Sequence, residues 1–105
     1  MILTIQSVHV KVDKAFEDFA NEKFAKLEKF FFGEPTIHLI IKKERFTFIV
    51  ESEVKSKTDS IFIKETSEDL STCVTRIVEK LKNKVSKLHE KKIDIAHKSE
   101  LKNLT

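Results

Sequence analysis

Arg76, Lys80, Lys84, Lys87 and Lys91 recur at steps of three and four near the C-terminal end of the chain. At about 100° per residue, such steps place all of them on one line along an α-helix. No acidic residue falls on that line, and Glu79 and Glu90 point further round the helix. The same stretch, Ser67 to Lys92, carries a second line of identical period: Leu70, Cys73, Val74, Ile77, Leu81, Val85 and Leu88. That line is the core-facing stripe of an amphipathic helix, and the basic line lies roughly 100° round from it. A helix anchored by one face and purely basic on its flank suits a polyanion with regularly spaced charge, and nucleic acid is the first candidate.

The competing explanation is an ordinary solvated helix surface. Such surfaces usually mix signs and use Glu–Lys pairs at i,i+4 for support. Here the lysines stand at like-charge spacings, which mildly destabilise an isolated helix. The charge is also local. Residues 76–92 carry a net +5, whereas the whole 105-residue chain carries +3. The protein is a nearly neutral body with one basic element.

Other chemistries find little support. His9, His38, His89 and His97 are scattered and form no metal-ligand spacing. The single Gly leaves no phosphate-cradling loop or dinucleotide fingerprint. Cys73 falls on the apolar line, so it reads as a small core residue, not a nucleophile. His89 is too far along the same helix to act as its base. No catalytic residue, metal or cofactor is expected, and the protein reads as a non-enzyme.

The remaining elements must carry this helix. Ile2 to Val10 reads as a strand, with apolar Leu3, Ile5 and Val8 interleaved with Thr4 and Gln6. Asp13 is positioned to cap a helix running to about Lys29, which would bury Phe16, Phe19, Ala20, Phe24, Leu27, Phe30 and Phe31. Gly33-Glu34-Pro35 ends it. Thr36 to Lys43 is a strand with Ile37, Leu39 and Ile41 on one face. Lys43-Glu44-Arg45 reads as a turn. Phe46 to Ser56 is a strand facing inward through Phe46, Phe48, Val50 and Val54, and Ser60 to Glu65 is a short strand holding Ile61 and Ile63. Thr66 or Ser67 is expected to cap the basic helix. The order β-α-β-β-β-α implies an α+β two-layer sandwich: a four-stranded sheet with two helices packed on one face. Residues 1–92 are expected to form one domain and 93–105 a flexible C-terminal tail. With one cysteine and no membrane-length apolar run, the chain reads as cytoplasmic.

The element order, the segment FAKLEKFF (Phe24 to Phe31) and the segment SEDLSTCVTRIVEKL (Ser67 to Leu81) resemble the ribosome hibernation-promoting factor family, which includes the ribosome-associated inhibitor A proteins. The resemblance spans roughly residues 1–92. It is most specific at Phe24-Ala25-Lys26-Leu27-Glu28 and at Glu68-Asp69-Leu70. It implies a fold like that of double-stranded-RNA-binding domains with an extra first strand. It also implies binding to the small ribosomal subunit and its 16S-type rRNA, in the decoding and mRNA channel, where mRNA and tRNA would be occluded. Lys80, Lys87 and Lys91 match basic positions of the family's second helix, and Lys23 and Lys26 match those of its first. Lys23 also falls in the apolar stripe by angle, so its stem should pack while its ammonium reaches out. With Arg76 and Lys84 these make up the expected rRNA-binding set. Asn83, Lys84, Ser71 and Thr75 depart from the family's usual residues. At 105 residues the chain is expected to lack the separate C-terminal domain of long members, and a monomer is expected when free. Two further possibilities are an RNA-binding module of the same fold acting on free structured RNA, and a protein-interaction module without RNA binding.

Overall fold

The computed structural model describes residues 1–31 and 33–96, with side chains described as far as Leu88. Strand β1 (Ile2–Ser7) leads to helix α1 (Lys14–Ala25) and a 3-10 turn (Glu28–Phe30). Strands β2 (Thr36–Glu44), β3 (Thr47–Lys55) and β4 (Ser60–Ser67) follow, and helix α2 (Leu70–Ala96) comes last. The sheet order is β1-β2-β3-β4. β1 runs parallel to β2, as a strand joined through a helix can, and the two hairpins are antiparallel.

Alternation decides which side of the sheet is covered. In register, Ile37, Val54 and Ile61 form one inward row, and Leu39, Ser52 and Ile63 the next. Phe16, Ala20 and Phe24 from α1 and Cys73, Val74, Ile77, Leu81 and Val85 from α2 join them in a single buried cluster. Both helices therefore pack on the same face, as the sequence pattern requires. The opposite face carries rows such as Thr4, His38, Glu53 and Phe62. There the Nε2 atom of His38 lies 3.2 Å from Oε1 of Gln6, and the exposed Lys42 ammonium is 3.8 Å from Glu51.

Asp13 caps α1 as expected: its Oδ1 accepts from the N–H of Phe16 at 2.9 Å. The helix ends at Ala25, however, short of Lys29. Beyond it the chain winds more tightly, with i→i−3 bonds from Phe30 to Leu27 (2.9 Å) and from Phe31 to Glu28 (3.2 Å). This winding buries both Leu27 and Phe31, while Phe19 and Phe30 are only half-buried. β1 stops at Ser7, and His9 follows with a left-handed φ of 56°. Val8 is left outside the strand and exposed.

The β2–β3 turn is corrected by one residue. Glu44 pairs with Thr47, so the loop is Arg45-Phe46, with Arg45 at φ 54°. A two-residue hairpin needs positive φ at its first central position, and here Arg45 supplies it without glycine. Phe46 consequently sits at the tip, 81% exposed, and does not face the core with Val50 and Val54.

The cap of α2 also differs from expectation. β4 stays paired through Ser67, opposite Phe48, which holds Thr66 and Ser67 in the strand. Asp69 caps instead. Its Oδ1 accepts from the Ser71 N–H at 3.3 Å and its Oδ2 from the Thr72 hydroxyl at 2.9 Å. α2 continues to Ala96, past the expected start of the tail, and residues 97–105 of that tail lie outside the described residues.

Candidate nucleic-acid interface

α2 is 27 residues long, which at 1.5 Å per residue spans about 40 Å. Its apolar line is fixed against the sheet: Cys73, Val74, Ile77, Leu81 and Val85 are essentially inaccessible. That anchorage sets the azimuth of everything else on the helix. Arg76, Lys80, Lys84 and Lys87 are therefore all carried on the exposed flank.

The flank is not uniform. Arg76 donates from Nη1 to the carbonyl of Thr66 at 3.3 Å, so its guanidinium leans on the end of β4. One turn on, the Lys80 ammonium is paired with the Glu65 carboxylate of the same strand. Lys84 and Lys87 follow, exposed and without an ion pair or hydrogen bond among the described residues. Lys91 lies on the helix, but its side chain is outside the described set.

Glu65 is the residue that sequence reasoning missed. It sits opposite Val50, in the inward register of Ile61 and Ile63, yet it is charged. Its side chain is only 10% exposed, whereas that of Lys80 is 60% exposed. The only hint in the sequence was a carboxylate at an inward position of β4, and nothing local tied it to a lysine fifteen residues later.

The α1 lysines form a separate group. Lys23 is half-buried with its ammonium 5.6 Å from the centroid of the Phe19 ring, so it packs and contacts an aromatic face as its helical angle implied. Lys26 is exposed at the C-cap of α1. No ion pair or hydrogen bond ties either to the α2 line among the described residues.

Cys73 lies beneath the basic flank. Burial, reinforced by the negative charge of Glu65, pushes its thiol above the ordinary range. Sγ donates to the Phe48 carbonyl at 3.8 Å, a weak contact that leaves the thiol buried and unreactive in character. Among the described residues no group of His, Cys, Asp and Glu could hold a metal ion, and no helix is long and apolar enough to cross a membrane.

A two-layer α+β domain with one long, sheet-anchored basic helix is the class that fold and surface define. Residues 3–93 match the family described as sigma 54 modulation protein / S30EA ribosomal protein, and the chain belongs to that family. It is 26% identical over 91 residues to the ribosome hibernation promoting factor of Klebsiella oxytoca, covering 87% of this chain and 96% of that one. It is also 26% identical to the ribosome-associated factor Y of Haemophilus influenzae, covering 87% and 85% of the two chains. Among solved structures, the N-terminal domain of Thermus thermophilus Protein Y superposes with a TM-score of 0.78 at 19% identity, covering 84% of this chain and 99% of that domain. A ribosomal subunit interface protein from Coxiella burnetii gives 0.76 at 20% identity, covering 86% and 99%. These two likenesses support the fold.

Proposed function

We propose that this protein is a cytoplasmic ribosome hibernation factor. It binds the small ribosomal subunit in the decoding and mRNA channel and blocks translation by excluding mRNA and tRNA. Family membership supports the ribosome as partner. The single observation that carries the contact is the exposed run of Lys84 and Lys87 on a helix whose other side is locked into the core. Arg76 and Lys91 extend the same line, and Lys23 and Lys26 add charge on α1. Lys80 belongs to the line by position but is held by Glu65. Such lysines meet rRNA phosphates and recognise charge and shape, not base sequence.

Occlusion needs no chemical step. Inhibition is therefore stoichiometric in ribosomes, reversible, and independent of nucleotide or metal. The test titrates protein into a translation assay of known ribosome concentration, alongside co-sedimentation with small subunits loaded or not with initiator tRNA. Inhibition complete near one protein per ribosome, and exclusion by preloaded tRNA, support the proposal. Inhibition far below one per ribosome, or joint binding with initiator tRNA on one subunit, overturns occlusion. Binding to free structured RNA in preference to the subunit would favour a general RNA-binding module.

A further inference from the structure

We propose that Glu65 is a specificity-determining residue that withdraws Lys80 from phosphate binding, so that the lysine–phosphate contacts of α2 begin one turn further on, at Lys84 and Lys87. This rests on the reading of α2 as the rRNA-binding element and assigns roles within it.

Glu65 stands on β4, an edge strand of the sheet, in register with Val50 and on the same side as Ile61 and Ile63. A side chain in that register emerges under α2, and only 10% of it reaches solvent. A carboxylate so desolvated is costly unless a cation compensates it. Lys80 is the cation placed there, while the neighbouring Arg76 is occupied by the Thr66 carbonyl. If Lys80 moved to a phosphate, Glu65 would be left largely desolvated and unpaired, and the exchange would gain little. The Glu65 charge also repels a phosphate approaching this turn. Lys84, about 6 Å further along the axis, meets neither cost. Lys80 is therefore a clamp between α2 and the sheet edge. The line presents its free lysines only from Lys84 onward, and this offset fixes which lysines of the helix an RNA backbone meets.

The measurement is the salt dependence of binding to purified small ribosomal subunits, with thermal unfolding of each variant alongside. Lys84→Gln should flatten the log–log slope by about 0.7 to 0.9, the change for one phosphate contact. Lys80→Gln should leave the slope unchanged and lower the unfolding midpoint, because Glu65 is stranded. Glu65→Gln should free Lys80 and steepen the slope by about 0.7 to 0.9. The double variant Glu65→Gln, Lys80→Gln strands neither charge, and its slope should equal that of the wild type even if a single variant fails to fold. A slope flattened by Lys80→Gln or by the double variant as much as by Lys84→Gln overturns the assignment while leaving subunit binding intact. Salt-insensitive binding by the wild type overturns the functional proposal itself, and this assignment with it.

Discussion

Two lines of side chains run down α2 with the same period, and the fold treats them differently. Leu70, Cys73, Val74, Ile77, Leu81, Val85 and Leu88 all enter or border one apolar volume, because a sheet face offers the same surface to each. Arg76, Lys80, Lys84 and Lys87 share an azimuth but not a fate. The first two lie beside β4 and are engaged by Thr66 and Glu65, whereas the next two have open surroundings. Burial is settled by a face. The availability of a charge is settled residue by residue, by what the adjoining strand places next to it. On this comparison, substitutions in the apolar line should move stability and leave binding alone, and those at Lys84 and Lys87 should do the reverse.

The largest expected effect tests the apolar line. Ile77 is fully buried at the centre of the helix–sheet contact. Ile77→Ala should cost about 2 to 5 kcal/mol, from lost transfer energy plus the cavity left behind. Urea unfolding reads it. The folded fraction should keep the wild-type salt slope for subunit binding. A loss well under 1 kcal/mol would mean that α2 is not anchored through this line.

The complementary experiment reverses charge at Lys84 and Lys87 together. Removing both phosphate-binding ammonium groups should flatten the log–log salt slope by about 1.4 to 1.8 at a nearly unchanged unfolding midpoint. Lys80 is left out deliberately, because a carboxylate there would face Glu65 and test folding instead of binding. If the double variant stays folded and co-sediments like wild type, the free half of the basic line is not the docking surface.

What the sequence disclosed follows the same division. Period and alternation revealed the helix faces, the Ile37, Leu39 and Ile41 row and the Asp13 cap, because each depends on residues a few positions apart. The element order was legible for the same reason. Errors arose where a distant partner decides. Phe46 was drawn inward by its alternation with Phe48, but the pairing of Glu44 with Thr47 places it in the loop. Ser67 has good cap chemistry, but its pairing with Phe48 keeps it in β4 and passes the cap to Asp69. Glu65 against Lys80 is the sharpest case, since nothing in either local segment announces the other.

Cys73 offers a smaller test, at the border of the two lines. It is fully buried, and burial, with the nearby Glu65 charge adding to it, pushes its thiol up. Alkylation should be slow in the folded protein and accelerate on unfolding. A thiol whose pKa is raised by folding favours the folded state while protonated. That contribution is complete below the ordinary thiol range and is lost as the pH rises through the folded value. Cys73→Ala should cost about 1 kcal/mol and leave subunit binding unchanged. Rapid labelling of the native protein would contradict burial of this side of α2.

The smallest effect should come from Ser52, the one fully buried polar side chain among the described residues. Ser52 is fully buried on β3, in register between Leu39 and Ile63, and its hydroxyl has no hydrogen-bond partner among the described residues. Placing a hydroxyl there without a partner carries a desolvation cost of about 1 to 3 kcal/mol. Ser52→Ala removes that cost together with a single small atom, so little cavity is created. The two terms oppose each other, and the desolvation term is the larger. The variant should therefore be equal to or more stable than wild type by up to about 1 kcal/mol, a rise of about 4 to 8 °C in the unfolding midpoint at the upper end. Salt-dependent binding should not change, because Ser52 is fully buried and cannot reach a phosphate. A loss of more than 1 kcal/mol would show that the hydroxyl has a partner in solution, and that the covered face of the sheet is less uniformly apolar than the line of α2 packed against it.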